Sequence, residues 1–199
     1  MLAATIHLVR HGAHADAGRV LTGRGGDDGL APVGEAQAAW AAERLASQTI
    51  VRVETSPQRR TRETAAVIAT SCGALPRVVP ALDELDYGAW TGRVIADLAG
   101  DPDWAHWNSA RSRAGTPRGE RMTDAVARAV AHLDTLGAGD WPGAIVCVSH
   151  SDIIRGVVAH YLGLSLDRML AFDIDPGSIT SLVVGDWGGQ LLSLNVRAA

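Results

Sequence analysis

The 199-residue sequence contains no lysine, and all 18 of its basic residues are arginine. Any anion site in this chain is therefore built from arginine and histidine. With 22 acidic residues the formal net charge is −4, which argues against general nucleic-acid binding, where a basic footprint is expected. There are only two cysteines, Cys72 and Cys147, far apart in the chain. Neither a disulfide framework nor a zinc site fits that count, and Cys147 lies in an apolar strand pattern that predicts a buried thiol. No run approaches the ~18 apolar residues of a membrane helix. The opening Met1-Leu2-Ala3-Ala4-Thr5 also lacks a basic region followed by a cleavable apolar run. A cytoplasmic location with no membrane partner is expected. Apolar residues make up 47% and charged residues 20%, which suits one globular domain, residues 1–199, with a substantial core.

Among what is present, the stretch Ile6-His7-Leu8-Val9-Arg10-His11-Gly12 stands out. It reads as a buried strand, over about residues 4–10, that stops at an arginine, a histidine and a glycine. In an open α/β sheet, ligands bind just past the carboxyl ends of the strands. Gly12 is expected to let the backbone turn sharply and approach a ligand. The glycine-rich residues 12–31 follow, with neither the dinucleotide spacing nor the Gly-Lys-Ser/Thr of a phosphate loop. They are expected to line the site.

An alanine-rich helix is predicted from Pro32 to about Ser47, and a short strand over Ile50–Val53. Ser56 is placed as the cap of the next helix, with Pro57 in its first turn. That helix opens with Arg59, Arg60 and Arg62, a cluster tolerated most easily around an anion, because cations oppose the helix dipole there. A third strand is expected at Arg77-Val78-Val79. The segment of about residues 93–119 breaks the strand–helix rhythm and reads as an insertion over the sheet. A strongly amphipathic helix runs through Met122–Leu136, and Ala144–Val148 reads as a central strand buried on both faces. It ends at Ser149-His150-Ser151-Asp152, before a helix expected to bury Ile153, Ile154, Val157, Val158, Tyr161 and Leu162. Two last strands are expected near 178–184 and 191–196. The whole predicts a three-layer α/β/α sandwich around a mostly parallel sheet. A lone histidine is usually structural, the role assigned to His7, but two strands ending in histidine, His11 and His150, suggest a site.

These residues resemble the histidine phosphatase superfamily in its phosphoglycerate mutase-like branch, over nearly the whole chain. Arg10-His11-Gly12 is similar to the family signature. Ser56-Pro57-Gln58-Arg59-Arg60-Thr61-Arg62-Glu63-Thr64-Ala65 resembles its Ser-x-Leu-x-Arg-Ala-x-x-Thr-Ala motif and puts the core arginine at Arg60. Leu82-Asp83-Glu84 with Gly88, Trp90 and Gly92 resembles the segment bearing the acid, here Glu84. Val148-Ser149-His150 resembles the segment of the second core histidine. The resemblance implies a metal-independent and cofactor-free phosphomonoester hydrolase acting on a small phosphorylated metabolite. In it His11 attacks phosphorus, Arg10 and Arg60 clamp the phosphoryl oxygens, His150 donates to developing charge, and Glu84 serves as acid and base. Thr22 and Gly23 of the loop and Ser151 beside His150 complete the expected substrate-binding set.

The sequence also departs from the family pattern. Where Glu or Gln, then Thr or Ser, and later Asn are common, it has Ala13, His14 and Ala17. This favours a phosphatase over the alternative, a phosphoglycerate mutase-type isomerase, with a non-catalytic phosphate-binding module as a third reading. His14 could be an extra ligand contact, but an exposed loop residue is the expectation. Substrate choice is placed in the insertion. There Trp90, Trp104 and Trp107 could form an apolar wall, and Arg111, Arg113, Arg118 and Arg121 could read a second anionic group. Packing tryptophans and solvated arginines are the competing reading. Gly119-Glu120 resembles a Gly-Glu-Ser motif with Arg121 in place of Ser. Substrate identity and oligomeric state stay open.

Overall fold

A computed structural model describes residues 2–26 and 28–198. Its centre is a six-stranded sheet in the order β3-β2-β4-β1-β5-β6. The strands are β1 (Ala3–Arg10), β2 (Ile50–Thr55), β3 (Arg77–Val78), β4 (Ala144–Ser149), β5 (Ile179–Gly185) and β6 (Gly188–Val196). The first four run parallel, and β5 and β6 form an antiparallel hairpin on the β1 edge. The sheet is mostly parallel, as expected.

Helices cover both faces, and the reason is visible along β4, whose six residues are all buried. Val146 and Val148 pack into one cluster with Ala41, Ala42 and Leu45 of α1 (Pro32–Leu45) and with Ala65 and Ile68 of α2 (Arg59–Cys72). Ile145 and Cys147, pointing the other way, join a larger cluster containing α4 (Met122–Gly137) and α5 (Ser151–Tyr161). A strand with apolar groups at every position can satisfy two layers at once, because successive side chains alternate faces. Cys147 is the buried free thiol expected. His7 is structural as assigned: its ring nitrogens meet Ser181 Oγ and Gln48 Oε1, each at 2.8 Å.

Several local expectations need correction. α2 begins at Arg59 with Gln58 at its cap, so Ser56 caps nothing and Pro57 lies outside the helix. On α5, Ile153, Ile154, Val157 and Val158 are buried, but Tyr161 is half-buried and Leu162 is exposed beyond the helix end. Gly12 has a packing reason to be glycine. A Cβ there would overlap the backbone oxygen of Gly34, and one on Gly34 would overlap Ala13. The two glycines let α1 press against the loop that follows β1.

Within residues 93–119, a short 3-10 turn at Ile95–Leu98 leads into α3 (Pro102–Ser109), whose start is capped by Asp101 accepting from two backbone N–H groups. Trp107 is fully buried and Trp90 nearly so, with ring centroids 5.9 Å apart. Trp104 stacks on Trp107 at 5.3 Å. This aromatic block ties the segment to the α4/α5 face of the sheet.

Candidate active site

The site follows from strand register. β1 and β4 are adjacent and parallel, with Arg10 opposite Ser149. The next residues, His11 and His150, therefore leave the sheet side by side at its carboxyl edge, the usual ligand position in α/β sheets. Their ring centroids are 5.2 Å apart, edge to face. Arg60, in the first turn of α2, reaches between them. Its Nε lies 3.3 Å from His11 Nε2, and its Nη2 donates to Gly23 O at 2.7 Å and approaches His150 Nδ1 at 3.2 Å.

Hydrogen bonding assigns the tautomers. His11 Nδ1–H donates to Gly12 O at 2.8 Å, which leaves the Nε2 lone pair toward the pocket. Ser56 Oγ donates to Asp83 Oδ1 at 3.1 Å and so accepts from His150 Nε2–H at 2.8 Å. Neutral His150 then turns an unprotonated Nδ1 toward Arg60 and Glu84, whose Oε2 is 3.6 Å away. The expected donor role of His150 therefore requires its imidazolium form.

Burial and charge set the protonation states. Burial, with Arg60 and Arg10 nearby, holds His11 well below the usual imidazole value. Burial, Arg60 and His11 do the same to His150. Burial, aided by the Asp152 carboxylate, lifts Glu84 to about 7. Burial also pushes on Asp152, but the Arg111 guanidinium beside it more than offsets that and keeps the carboxyl below its usual range. Of two neighbouring carboxyls, Glu84 is the one that holds a proton near neutral pH.

Arg10, His11, Thr22, Gly23, Arg60, Glu84 and Ser151 all line one pocket of about 260 Å³. His150 is fully buried behind it. Arg10 is fixed by Nη1 donating to Ile174 O at 2.6 Å, while its buried Nε has no hydrogen-bond partner among the described residues. Such an orphaned donor suits an anion at the pocket floor. Opposite lie Ile95, Trp104, Trp107 and Arg111 from the 93–119 segment. Arg111 is buried, sits 3.7 Å over the Trp107 ring, and donates to Asp152 Oδ2 at 2.7 Å. Arg113, Arg118 and Arg121 are exposed and away from the pocket, as are Arg59 and Arg62. Glu120 of the Gly-Glu pair holds Arg24 at 2.7 Å and Arg128 at 2.9 Å.

The sequence reading missed several participants. His14 is buried and lines the pocket rather than standing exposed. Tyr87, whose hydroxyl donates to Asp152 Oδ2 at 2.8 Å, and Arg155 also line it. Ser56 and Asp83 lay inside quoted motifs, yet only three-dimensional placement reveals that they orient His150. An acidic doublet directly before Leu85 was the one available signal for Asp83.

Comparison with known proteins gives the family and the fold. The histidine phosphatase superfamily (branch 1) matches residues 6–197. The probable phosphoglycerate mutase GpmB of Yersinia enterocolitica is 36% identical over 168 residues, which are 80% of this chain and 75% of that one. A mycobacterial glucosyl-3-phosphoglycerate phosphatase superposes with a TM-score of 0.85 at 25% identity, covering 98% of this chain and all of that one. A phosphoserine phosphatase of Entamoeba histolytica, in complex with 3-phosphoglyceric acid, has a TM-score of 0.86 over 98% of both chains. At 23% identity it speaks for the fold alone. Among the described residues no helix is long and apolar enough to cross a membrane. With sequence, fold and site geometry in agreement, the chain belongs to the histidine phosphatase superfamily.

Proposed function

We propose that this chain is a phosphomonoester phosphatase that works through a phosphohistidine at His11 on a small phosphorylated metabolite. The observation that carries the reading is the His11 ring: neutral, with Nδ1–H committed to Gly12 O and Nε2 open toward a pocket lined by two arginines and a carboxylic acid. The phosphoryl group enters between Arg10 and Arg60, and Arg60 exchanges its contact with His11 Nε2 for phosphoryl oxygen. His11 Nε2 then forms the P–N bond as the ester P–O bond breaks, and Glu84 delivers its proton to the leaving oxygen. Ionised Glu84 takes a proton from water, whose oxygen attacks phosphorus. The P–N bond breaks, phosphate leaves, and His11 and Glu84 return to their starting states. A carboxyl that titrates near 7 suits both proton transfers. The oxygens carry most of the charge in such a transfer, so positioning by guanidinium groups supplies much of the catalysis. Neutral His150, its Nε2–H held by Ser56, accepts from Arg60 at Nδ1 and so helps to aim that guanidinium. Thr22, Gly23 and Ser151 complete the phosphoryl cradle.

We further read residues 1–199 as one domain in which 93–119 caps the pocket, with Trp104 and Trp107 as its apolar wall. The acidic chain without a basic surface excess fits a cytoplasmic enzyme of small metabolites. The names of the relatives above, which act on or bind phosphoglycerate derivatives or phosphoserine, make phosphorylated carboxylic acids the first substrates to try. Release of phosphate from a panel of such esters, lost in His11→Ala, tests the reading, and no turnover on any ester would instead favour a phosphate-binding module. Relatives named as mutases at 36% identity keep a phosphoglycerate mutase as the second reading. Its mark is interconversion of 2- and 3-phosphoglycerate stimulated by a bisphosphate. Ala13, His14 and Ala17, at positions where the family is commonly polar, favour hydrolysis.

A further inference from the structure

A third histidine stands beside the nucleophile, and the reaction above does not use it. The ring centroid of His14 is 5.7 Å from that of His11, and His14 lines the same pocket while being more than nine-tenths buried. Its place is built rather than loose. His14 pairs with Leu30 in an antiparallel bridge, Ala13 N donates to Gln37 Oε1 at 2.9 Å, and Ala31 N donates to Ala13 O at 2.9 Å. Its Nδ1 is fully buried, lacks a hydrogen-bond partner among the described residues, and looks across 3.7 Å at the Asp28 carboxylate. The opposite edge of the ring, with Nε2, is left for the pocket.

The charged groups around it pull in opposite senses. Arg60 and Arg10 oppose an imidazolium, Asp28 and Asp16 favour one, and His11 is the adjoining ring. Burial and Arg60 prevail, so the ring loses its proton more readily than an ordinary histidine. With Asp28 beside Nδ1, the neutral tautomer keeps its proton there, and the Nε2 lone pair would repel a phosphoryl oxygen. Protonation turns Nε2 into a donor. A tetrahedral dianion seated between Arg10 and Arg60 cancels the positive charge that holds the ring neutral. Anion and proton then favour each other's binding, and linkage makes that coupling reciprocal.

We propose that His14 is a proton-linked ligand of the phosphoryl site: as an imidazolium backed by Asp28, it donates from Nε2 to an oxygen of the bound tetrahedral dianion. The proposal rests on the phosphatase reading for where that dianion sits. It makes the site hold a tetrahedral anion that keeps both its charges more tightly as pH falls, and release it more easily as pH rises.

The test uses sulfate, a tetrahedral dianion with no titration of its own near neutral pH. The His14 ring is followed by NMR in the wild-type chain, with and without saturating sulfate, while calorimetry measures sulfate affinity across pH for wild type, His14→Gln and Asp28→Asn. The expected result is a His14 midpoint that rises by about a unit with sulfate and lies lower in Asp28→Asn. Sulfate affinity of His14→Gln should fall about tenfold below wild type near pH 5.5 and converge with it near pH 8, since one linked proton changes affinity about tenfold per unit. A His14 midpoint unmoved by sulfate, with wild-type and His14→Gln affinities parallel across pH, overturns the proposal alone. Sulfate that fails to bind, or binds Arg60→Ala as well as wild type, removes the phosphoryl-site reading and the proposal with it. The wild-type titration stands even if His14→Gln folds poorly.

Discussion

Glu84 carries two opposite consequences of one physical fact. Its burial lifts the carboxyl from 4.5 to about 7, so the acid form needed by a leaving alkoxide persists at neutral pH. The rate on an alkyl phosphate should fall as pH rises through about 7, because the required proton is lost there. Glu84→Gln should lower that rate by about 10²–10⁴-fold, and on p-nitrophenyl phosphate, whose leaving group needs no proton, it should spare the first phosphoryl transfer and slow the later hydrolysis, so that phosphoenzyme accumulates. The stability sign is the reverse. A carboxyl whose folded value is raised favours the native state only below its unfolded value, and that benefit is lost as pH climbs to the folded value. From 4.5 to about 7 is about 2.5 units, or about 3 kcal/mol of native stability lost between about pH 4 and pH 8. Glu84→Gln should therefore melt higher than wild type near pH 8 and lose that advantage near pH 5, a comparison that thermal denaturation makes directly. Residues of this kind were legible in the sequence where they end strands or open a helix, as Arg10, His11, Arg60 and His150 do; Glu84, beyond the 3-10 turn Pro80–Leu82, was legible only through the family resemblance. His14 and Ser56 were misread. Their chain neighbours look like loop and cap, whereas their side chains answer to groups far along the chain: the pocket shared with Arg60 and Glu84 for one, His150 and Asp83 for the other.

At the scale of elements, the site depends on how closely α1 approaches the loop after β1. Gly12 N donates to Thr64 Oγ1 at 3.0 Å on α2, while Gly34 of α1 lies against Ala13 with no room for a Cβ. Gly34→Ala gains helix propensity yet forces that contact open. It should cost about 1–3 kcal/mol, the usual range for overpacking, and lower activity together with stability. Denaturant unfolding and phosphate-release assays on one preparation separate this from the opposite expectation, a helix stabilised by alanine. α4 and α5 were readable from apolar spacing near 3.6 residues, β4 from an unbroken apolar run, and α1 from its alanines behind Pro32. The start of α2 was not, since Ser56-Pro57 has the local chemistry of a helix start and only its tertiary hydrogen bonds say otherwise. The antiparallel setting of β5 was equally hidden: alternation shows which side chains face inward but not which way a strand runs.

Across the whole molecule, the 93–119 segment is tied to the sheet through Arg111, and the tie reaches the active site. Arg111 stacks on Trp107 and donates to Asp152, which also accepts from Tyr87 and helps lift Glu84. Asp152→Asn removes the carboxylate charge while keeping the shape. It should move the alkaline limb of the rate profile to lower pH by about a unit or less, read from kcat/KM against pH. Arg111→Ala leaves Asp152 buried with only Arg155, 3.8 Å away, as its cation and should cost up to about 3–5 kcal/mol, measured by chemical denaturation. These couplings join three regions distant in sequence, and for that reason no local pattern announced them. The measurement closest to the central claim is rapid-quench labelling with a phosphomonoester, stopped in base and followed by peptide mass spectrometry. The account predicts about one phosphoryl group per chain, acid-labile, base-stable and confined to the His11 peptide, with none in His11→Ala. Label on another residue, or His11→Ala hydrolysing the ester as fast as wild type, would contradict it.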